Sequence, residues 1–349
     1  MNPLQKFFTE DPKWHEKIGA IHALLERVKI SEEQSGDVLH LRKLNRILSV
    51  HASTAIEGNQ LTLGQVTDVI NGKPVWGPPK DIKEVQNAWH AYNEMPGYTP
   101  WSVNDLLRAH ANLTNTLIGE SGQFRTGGVA VVGSDGTLLH RGALSSQVSS
   151  LVKQLLQWGQ ASEAHPLIKS SAVHYQLEYI HPFRDGNGRI GRLWQTLILA
   201  QWHPLLAWMP METLVHHNQA LYYKALQDSH AGAEVDCRPF IDFMLDAIAN
   251  SLYKYIDVAA QTVTHTPANV GVNVGVNVGI SVGVNVGVTD QILALLAQEP
   301  RLSAKEVASL LNKNTRTIER YLKAMREQGR IQRVGSDKAG HWQIIERPA

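Results

Sequence analysis

From the N-terminus to about residue 260, apolar residues return every three or four positions, the repeat of a helix with one buried face. Leu44, Ile47, Leu48, His51 and Ala55 mark one such face, and Leu106, Leu107, His110, Leu113 and Leu117 mark a second. Ile168, Ala172, Tyr175 and Tyr179 continue the spacing up to a glycine-rich turn. Beyond it, Ile190, Leu193, Trp194, Leu197 and Ile198 resume the spacing, and Phe240, Phe243, Met244, Ala247 and Leu252 predict a further helix. The pattern changes between Gln123 and Arg141. Val129, Val131 and Val132 stand between two glycines and a Gly-Ser-Asp-Gly turn, with Leu138 and Leu139 beyond, and this order predicts a β-hairpin.

A second change comes at Val270. Up to Val288 every even position is Val or Ile and every odd one is Gly, Asn or Ser, in copies of Gly-Val-Asn-Val. Fully extended, the stretch would reach roughly 60 Å, too long for one ordinary strand. It reads as a low-complexity linker, with a folded-back or edge-pairing strand as the alternative, and in either case it marks a domain boundary. Beyond it, Ile292, Leu293, Leu295 and Leu296 form a helical stripe that ends near Pro300. Ser303-Ala304-Lys305-Glu306 has the form of a capping box. Asn312 to Thr315 turns into a helix carrying Ile318, Leu322 and Met325, with Gly329 as its C-cap. Two short strands, Ile331 to Val334 and Trp342 to Ile345, then flank Gly335 to Gly340. That order is the order of a winged helix-turn-helix.

Composition adds three constraints. The 349 residues suit about two domains, and 43% hydrophobic content excludes wholesale disorder. The net charge of +1 hides an asymmetry, because residues 301–349 hold 11 Lys and Arg against 5 Asp and Glu. The single cysteine, Cys237, excludes an internal disulfide and multi-thiolate zinc sites, and is expected to be structural. The first residues lack an apolar core of signal-peptide length, and no window reads as a membrane span. The chain is therefore expected to be soluble and cytoplasmic, with no membrane partner. The 16 histidines form no metal-ligand spacing, and tryptophans such as Trp89, Trp158, Trp194 and Trp202 are expected in the core.

The informative run is His181-Pro-Phe-Arg-Asp-Gly-Asn-Gly-Arg-Ile-Gly-Arg192, between two apolar helical segments. Its second half opens a helix, whose unpaired N–H groups and dipole favour an anion. Gly186 and Gly188 let the backbone turn tightly and approach a ligand. Arg189 and Arg192, three apart, project from one side, and two guanidinium groups beside such a nest suit a polyphosphate. Asp185 offers a hard oxygen for a magnesium ion. His181, as an imidazole, is the natural general base. The run thus reads as a site for a magnesium-bound nucleotide with a base for an incoming hydroxyl; a plain Gly/Asn loop with surface arginines is the alternative.

This run resembles the Fic-domain signature, His-Pro-Phe-x-Asp-Gly-Asn-Gly-Arg-x-x-Arg, at every specified position. Gly122-Gln-Phe-Arg125 with the hairpin resembles the family's flap, and Leu221 to Leu226 and Arg238 to Ile241 resemble its downstream helices. The resemblance covers roughly 38–252. It implies a mainly α chain, with a Fic-type helical bundle carrying a β-hairpin flap and a winged helix-turn-helix after it. The implied reaction is transfer of AMP from ATP to Ser, Thr or Tyr hydroxyls of target proteins and of the chain itself. The implied catalytic residue is His181, and Asp185 is the implied magnesium ligand. Gly186, Asn187, Gly188, Arg189, Ile190, Gly191, Arg192, Tyr222, Val132 and Gly133 are the implied nucleotide-binding positions. Gly188 stands where phosphate-transferring relatives carry lysine. Where some relatives have an Asn for the base, His230 is the nearest counterpart. The flap around Val129 to Gly133 would pair with an extended target segment.

Ser53-Thr-Ala-Ile-Glu57-Gly-Asn59 ends a helix and resembles the family's inhibitory motif, which implies that Glu57 pairs with Arg192 and displaces the ATP γ-phosphate. The expected organisation is an N-terminal helical segment (1–37), a Fic domain (38–260) whose first helix (about 38–58) is inhibitory, the repeat linker (261–288) and the winged helix (289–349). DNA is a candidate partner through Arg316, Arg320, Lys323 and Arg326, as is a second copy of the chain. Two alternatives stand beside adenylyl transfer: a DNA-binding regulator, and removal of AMP with Glu57 orienting water.

Overall fold

The computed structural model describes residues 8, 10–34, 38–132, 138–230, 236–263, 292, 296, 303–304, 307–308, 315–327, 330–334 and 341–345. It divides into two compact units, Met1–Thr266 and Pro267–Ala349. The expected Gly-Val-Asn-Val repeat, the turn at Asn312, the cap at Gly329 and the wing at 335–340 lie outside the described residues.

The first unit is helical. Its elements are α1 (Lys13–Gln34), α2 (Val38–Ile56), α3 (Leu63–Ile70), α4 (Pro79–Glu94), α5 (Val103–Thr114), α6 (Ser145–Ala161), α7 (Pro166–Ile180), α8 (Asn187–Trp202), α9 (Met211–His217), α10 (Gln219–Asp228) and α11 (Arg238–Val263). Between α5 and α6, β1 (Ala130–Val132) and β2 (Leu138–Arg141) pair antiparallel, with a register shift at Val131/Val132. α7 and α8 pack on each other across the signature loop, α2 lies on α9 and α4, and α1 lies on α11. Trp14, Ile21, Leu25 and Val28 of α1 belong to the same core as Val50 of α2, Phe183 and Trp194, so the N-terminal helix is part of this unit and not a separate layer. Cys237 is buried in it. The helix expected to reach Leu117 stops at Thr114, where Thr116 turns into the left-handed region. Helix α8 approaches α7 closely at Gly191, where a Cβ would meet Cδ2 of His174 at 2.6 Å.

In the second unit, α12 (Thr315–Glu327) is followed by β3 (Ile331–Val334) and β4 (His341–Ile344), antiparallel and in register from Ile331↔Ile344 to Val334↔His341. β4 therefore starts and ends one residue earlier than expected. Ile292, Leu296, Val307, Ile318, Leu322, Met325 and Ile331 form a small core of their own. Among the described residues no helix is long and apolar enough to cross a membrane.

Candidate active site

The site is built around the loop between α7 and α8. His181 is the C-cap of α7 at φ 52, ψ 61, a left-handed conformation that a non-glycine residue adopts at some cost and keeps only when its surroundings enforce it. The enforcing group is Arg125, which is buried. Its Nε donates to the carbonyl of His181 at 2.6 Å, its Nη1 to Gly127 O at 2.7 Å, and its Nη2 to the carbonyls of Ala143 and Ile180. The backbone N–H of Arg125 also donates to Pro182 O at 3.1 Å. One side chain thus fastens the start of the flap to the start of the signature loop. Nδ1 of His181 donates to the carbonyl of Glu178 at 3.3 Å, which leaves Nε2 with its lone pair.

The rest of the loop is braced from inside. Asn187 accepts from the N–H of Phe183 and donates to its carbonyl, both at 2.9 Å. The Phe183 ring is fully buried and stacks on His110 at 3.7 Å. His110 accepts from Gly122 N–H at Nδ1 and donates from Nε2 to Asp185 O at 2.9 Å. Burial pushes His110 down to about 4, so it is a neutral strut at ordinary pH. Gly186 has φ 83 as the N-cap of α8, a conformation suited to glycine.

Two arginines follow on α8, each 3% exposed. Arg192 donates from Nη2 to Glu57 Oε1 at 2.7 Å and to Ser53 O at 2.9 Å, and from Nε to Ser53 Oγ at 3.2 Å. Burial alone would lower its pKa, but the carboxylate of Glu57, with Tyr222 and Glu178 nearby, raises it. Glu57 reaches this place because α2 ends at Ile56 and the next turn closes at Gly58, at φ +91. Its carboxylate lies against the first turn of α8, where a Cβ on Gly188 would collide with Oε1 and stand 2.9 Å from Nη1 of Arg192. A side chain at position 188 would therefore require the Glu57 carboxylate and the Arg192 guanidinium to shift.

Arg189 differs from the expectation that it would face the nucleotide beside Arg192. Its guanidinium lies between Glu84 Oε1 of α4, at 3.5 Å, and Asp185 Oδ1, at 3.1 Å. Oε2 of Glu84 accepts at 3.0 Å from Asn59, the last residue of the Ser53–Asn59 stretch. Two arginines that share a helix face by spacing are therefore separated by the carboxylates that each finds.

The pocket above the loop has a volume of about 200 Å³. Of the expected nucleotide-binding residues, Gly186, Asn187, Gly188, Arg192 and Tyr222 line it, as do Asp185, His181 and Glu57. Arg189, Ile190 and Gly191 do not: Ile190 is buried in the core and Gly191 packs on His174. Val132 belongs to β1, and Gly133 is outside the described residues. The Tyr222 hydroxyl donates to Glu178 Oε1 at 3.3 Å and lies 3.2 Å from Nε2 of His174. Burial raises the Glu178 carboxyl, but hydrogen bonding and charge from His174, with His181 and Arg192, bring the net direction down.

Sequence reasoning missed Glu84, Glu178 and His140 as members of this site. Arg125 closes the Gly122-Gln-Phe-Arg stretch, but no spacing there signals its role. No local spacing signals Glu84 or His140, which arrive from other elements. Glu178, three residues before His181 and one helical turn away, was open to inference.

Residues 100–199 match the Fic/DOC family, and residues 290–332 match a winged helix-turn-helix DNA-binding family. The protein adenylyltransferase Fic of Culex quinquefasciatus is 27% identical over 264 residues, which cover 72% of this chain and 48% of that protein. The protein adenylyltransferase fic-1 of Caenorhabditis elegans is 28% identical over 245 residues, covering 62% and 43%. The chain thus spans about half the length of the curated relatives it matches. A crystal structure of a Fic family protein from Desulfovibrio desulfuricans G20 superposes with a TM-score of 0.69 at 32% identity, covering 99% of each chain. Because that likeness runs almost end to end, and the matched stretch contains the whole loop from His181 to Arg192, the chain belongs to the Fic/DOC family.

Proposed function

We propose that this chain transfers AMP from ATP to a hydroxyl of a target protein, and that Glu57 restrains the reaction. The observation that carries the reading is the shared pocket lined by His181, the first turn of α8 and the paired Arg192. A triphosphate laid on the helix N-terminus would take the place that Glu57 now fills, with Arg192 exchanging a carboxylate for phosphate oxygens. Nε2 of His181 then accepts the proton as the target oxygen attacks the α-phosphorus, the bond to the β-phosphate oxygen breaks, and pyrophosphate leaves. The names of the curated relatives support this reaction.

Asp185 fits the expected magnesium ion. Gly186 N–H and Arg189 both use its Oδ1, and among the described residues no hydrogen bond reaches Oδ2. Bound there with phosphate oxygens and water, the ion would supply charge neutralisation of the leaving pyrophosphate. The test uses α-labelled ATP with magnesium on the full chain and a host lysate. Label should enter protein more strongly with Glu57→Gly than with the parent, and vanish on adding His181→Ala. Equal labelling by all three would overturn the reading. Loss of label from a pre-modified target, faster with the parent than with Glu57→Gly, would favour AMP removal.

A second reading concerns the C-terminal unit. Arg316, Arg320, Lys323 and Arg326 are all exposed on α12, opposite buried Ile318, Leu322 and Met325, which supports DNA as a partner of that helix. Salt-dependent binding to duplex DNA tests it, and absence of binding at low salt would sink it.

A further inference from the structure

Helices α2 and α8 meet through polar groups at two levels. At the first, Ser53 and Glu57 face Arg192, the contact that restrains the pocket under the proposed function. The second lies one turn earlier on α2, at Ser49, and one turn later on α8, at Thr196. A carboxylate from a third helix joins them there. It belongs to Glu212 of α9, which is 2% exposed.

Hydroxyls from three helices donate to Glu212. Ser49 of α2 reaches Oε2 at 2.9 Å, while Tyr92 of α4 and Thr196 of α8 reach Oε1 at 2.6 and 3.3 Å. Buried Arg46 of α2 lies over the rings of Tyr92, at 5.3 Å, and Trp208, at 4.7 Å, and its charge and that of Glu212 act on each other. Removing one member of such a buried network leaves the others short of a partner. The Tyr92 phenol links the two levels. It donates its hydrogen to Glu212 and is itself hydrogen-bonded by the Ser53 side chain, whose oxygen accepts from Nε of Arg192 at 3.2 Å. Burial and the Glu212 carboxylate push the phenol well above its ordinary value, so it keeps that hydrogen. The bonds therefore run one way, from Arg192 to Ser53 to Tyr92 to Glu212, and end on an anion.

We infer, given the restraint by Glu57 proposed above, that Glu212 is a positioning residue for that restraint. It holds Ser49 directly and Ser53 through Tyr92, and so fixes α2 in the register that sets Glu57 on Arg192. Thr196 ties the same carboxylate to α8, one turn from the arginine that Glu57 must meet. Glu57 directly follows the last residue of α2, Ile56, so its reach depends on where the end of that helix is held.

The test measures protein labelling from α-labelled ATP with magnesium by the full chain, at ATP below KM. Tyr92→Phe, Glu212→Gln and Glu212→Leu are each made in the parent and in Glu57→Gly. In the parent, Tyr92→Phe should raise labelling by about three- to tenfold, the effect of one buried hydrogen bond. The gain should appear as a lower KM for ATP, because Glu57 and the γ-phosphate compete for Arg192. Glu212→Leu should raise labelling at least as far. Glu212→Gln should raise it less, since its amide oxygen still accepts from Tyr92 and Thr196 and the Ser49 hydroxyl can turn to accept from its nitrogen. In Glu57→Gly all three should leave labelling as it was, because no contact remains to be positioned. Unchanged labelling in the parent background, or a fall in both backgrounds, would overturn the inference and leave Glu212 a packing role alone. Should Glu212→Leu fail to fold, as its thermal melt would show, Tyr92→Phe decides by the same outcomes. If Glu57→Gly labels no more than the parent, the restraint itself fails, and the positioning role falls with it.

Discussion

Each unit presents arginines on a helix at nearly the same spacing, and each uses them differently. On α8, Arg189 and Arg192 are three apart and buried, each against a carboxylate from a distant helix or turn. On α12, Arg316, Arg320, Lys323 and Arg326 are exposed. A buried guanidinium is expensive unless an anion meets it, so its partner becomes a specific and exchangeable part of the site. An exposed one contributes mainly through long-range charge, which salt screens. The same residue type thus sits in a specific internal ion pair in one unit and on an open basic surface in the other.

The largest break in this comparison should come from Glu57→Gly. It removes the internal anion from Arg192 and leaves the pocket to ATP. Transfer of label to protein should rise by about ten- to a hundredfold, the range of an internal competitor worth roughly 1.4–2.8 kcal/mol. Because Arg192 is then left buried without its partner, the variant should melt below the parent, and ATP should restore more stability to it than to the parent. Calorimetry with and without nucleotide checks both. A variant that melts as the parent does, with ATP or without it, would mean that the Glu57 contact is not the lock.

The next effect is smaller and comes from a contact that no motif announces. Glu84→Gln keeps the shape but removes the charge that faces Arg189, while Asn59 retains an acceptor. Arg189 should then drift toward Asp185, and kcat/KM should fall by about tenfold in the Glu57→Gly background. Lys80→Ala, at an exposed side chain 3.8 Å from the same carboxylate, should change little. Equal kinetics in Glu84→Gln and its parent would show that Asp185 alone positions Arg189.

Glu84 also marks the limit of what sequence makes legible. The loop from His181 to Arg192 could be read because a helix N-terminus, two glycines and a carboxylate are neighbours along the chain. Resemblance added Glu57, whose distance from Arg192 in sequence is 135 residues. The hairpin was readable from two short β-prone runs around a Ser-Asp-Gly turn. Arg189 was misplaced because helical spacing tells which face a side chain leaves, not which buried anion will claim it. Glu84, Arg125 and His140 each reach the site from another element, and only packing brings them there. In the second unit, α12 and its two strands could be read from periodicity, one strand shifting by a residue.

On the exposed side of the comparison the expected effects are graded. Each of Arg316→Ala, Arg320→Ala, Lys323→Ala and Arg326→Ala should weaken duplex binding a few fold if it touches phosphate. Each should also lower the salt slope by about 0.9, as measured by titration at several salt concentrations. A substitution that leaves the slope unchanged but relaxes sequence preference would instead place that residue on a base edge.

The smallest expected effect separates the units by acid. His110 of the first unit is held near 4 against an ordinary value of 6.5, because burial disfavours its charged form more than the carbonyl of Asp185 can offset. The unfolded chain therefore binds a proton that the folded unit refuses. The stability this histidine contributes is complete above about pH 6.5 and is lost as pH falls toward 4. His165 and His230, also near 4, act in the same direction. The second unit carries only His341 and should be far less sensitive over this window. Thermal melts of the full chain between pH 7 and 4 should show the first unit's transition moving down while the other holds. His110→Asn should flatten the first transition's dependence by about 1.4 kcal/mol per pH unit within the window, the share of one proton. An unchanged slope in that variant would mean that His110 takes up its proton without leaving the fold, and that the strut under Asp185 is softer than its burial implies.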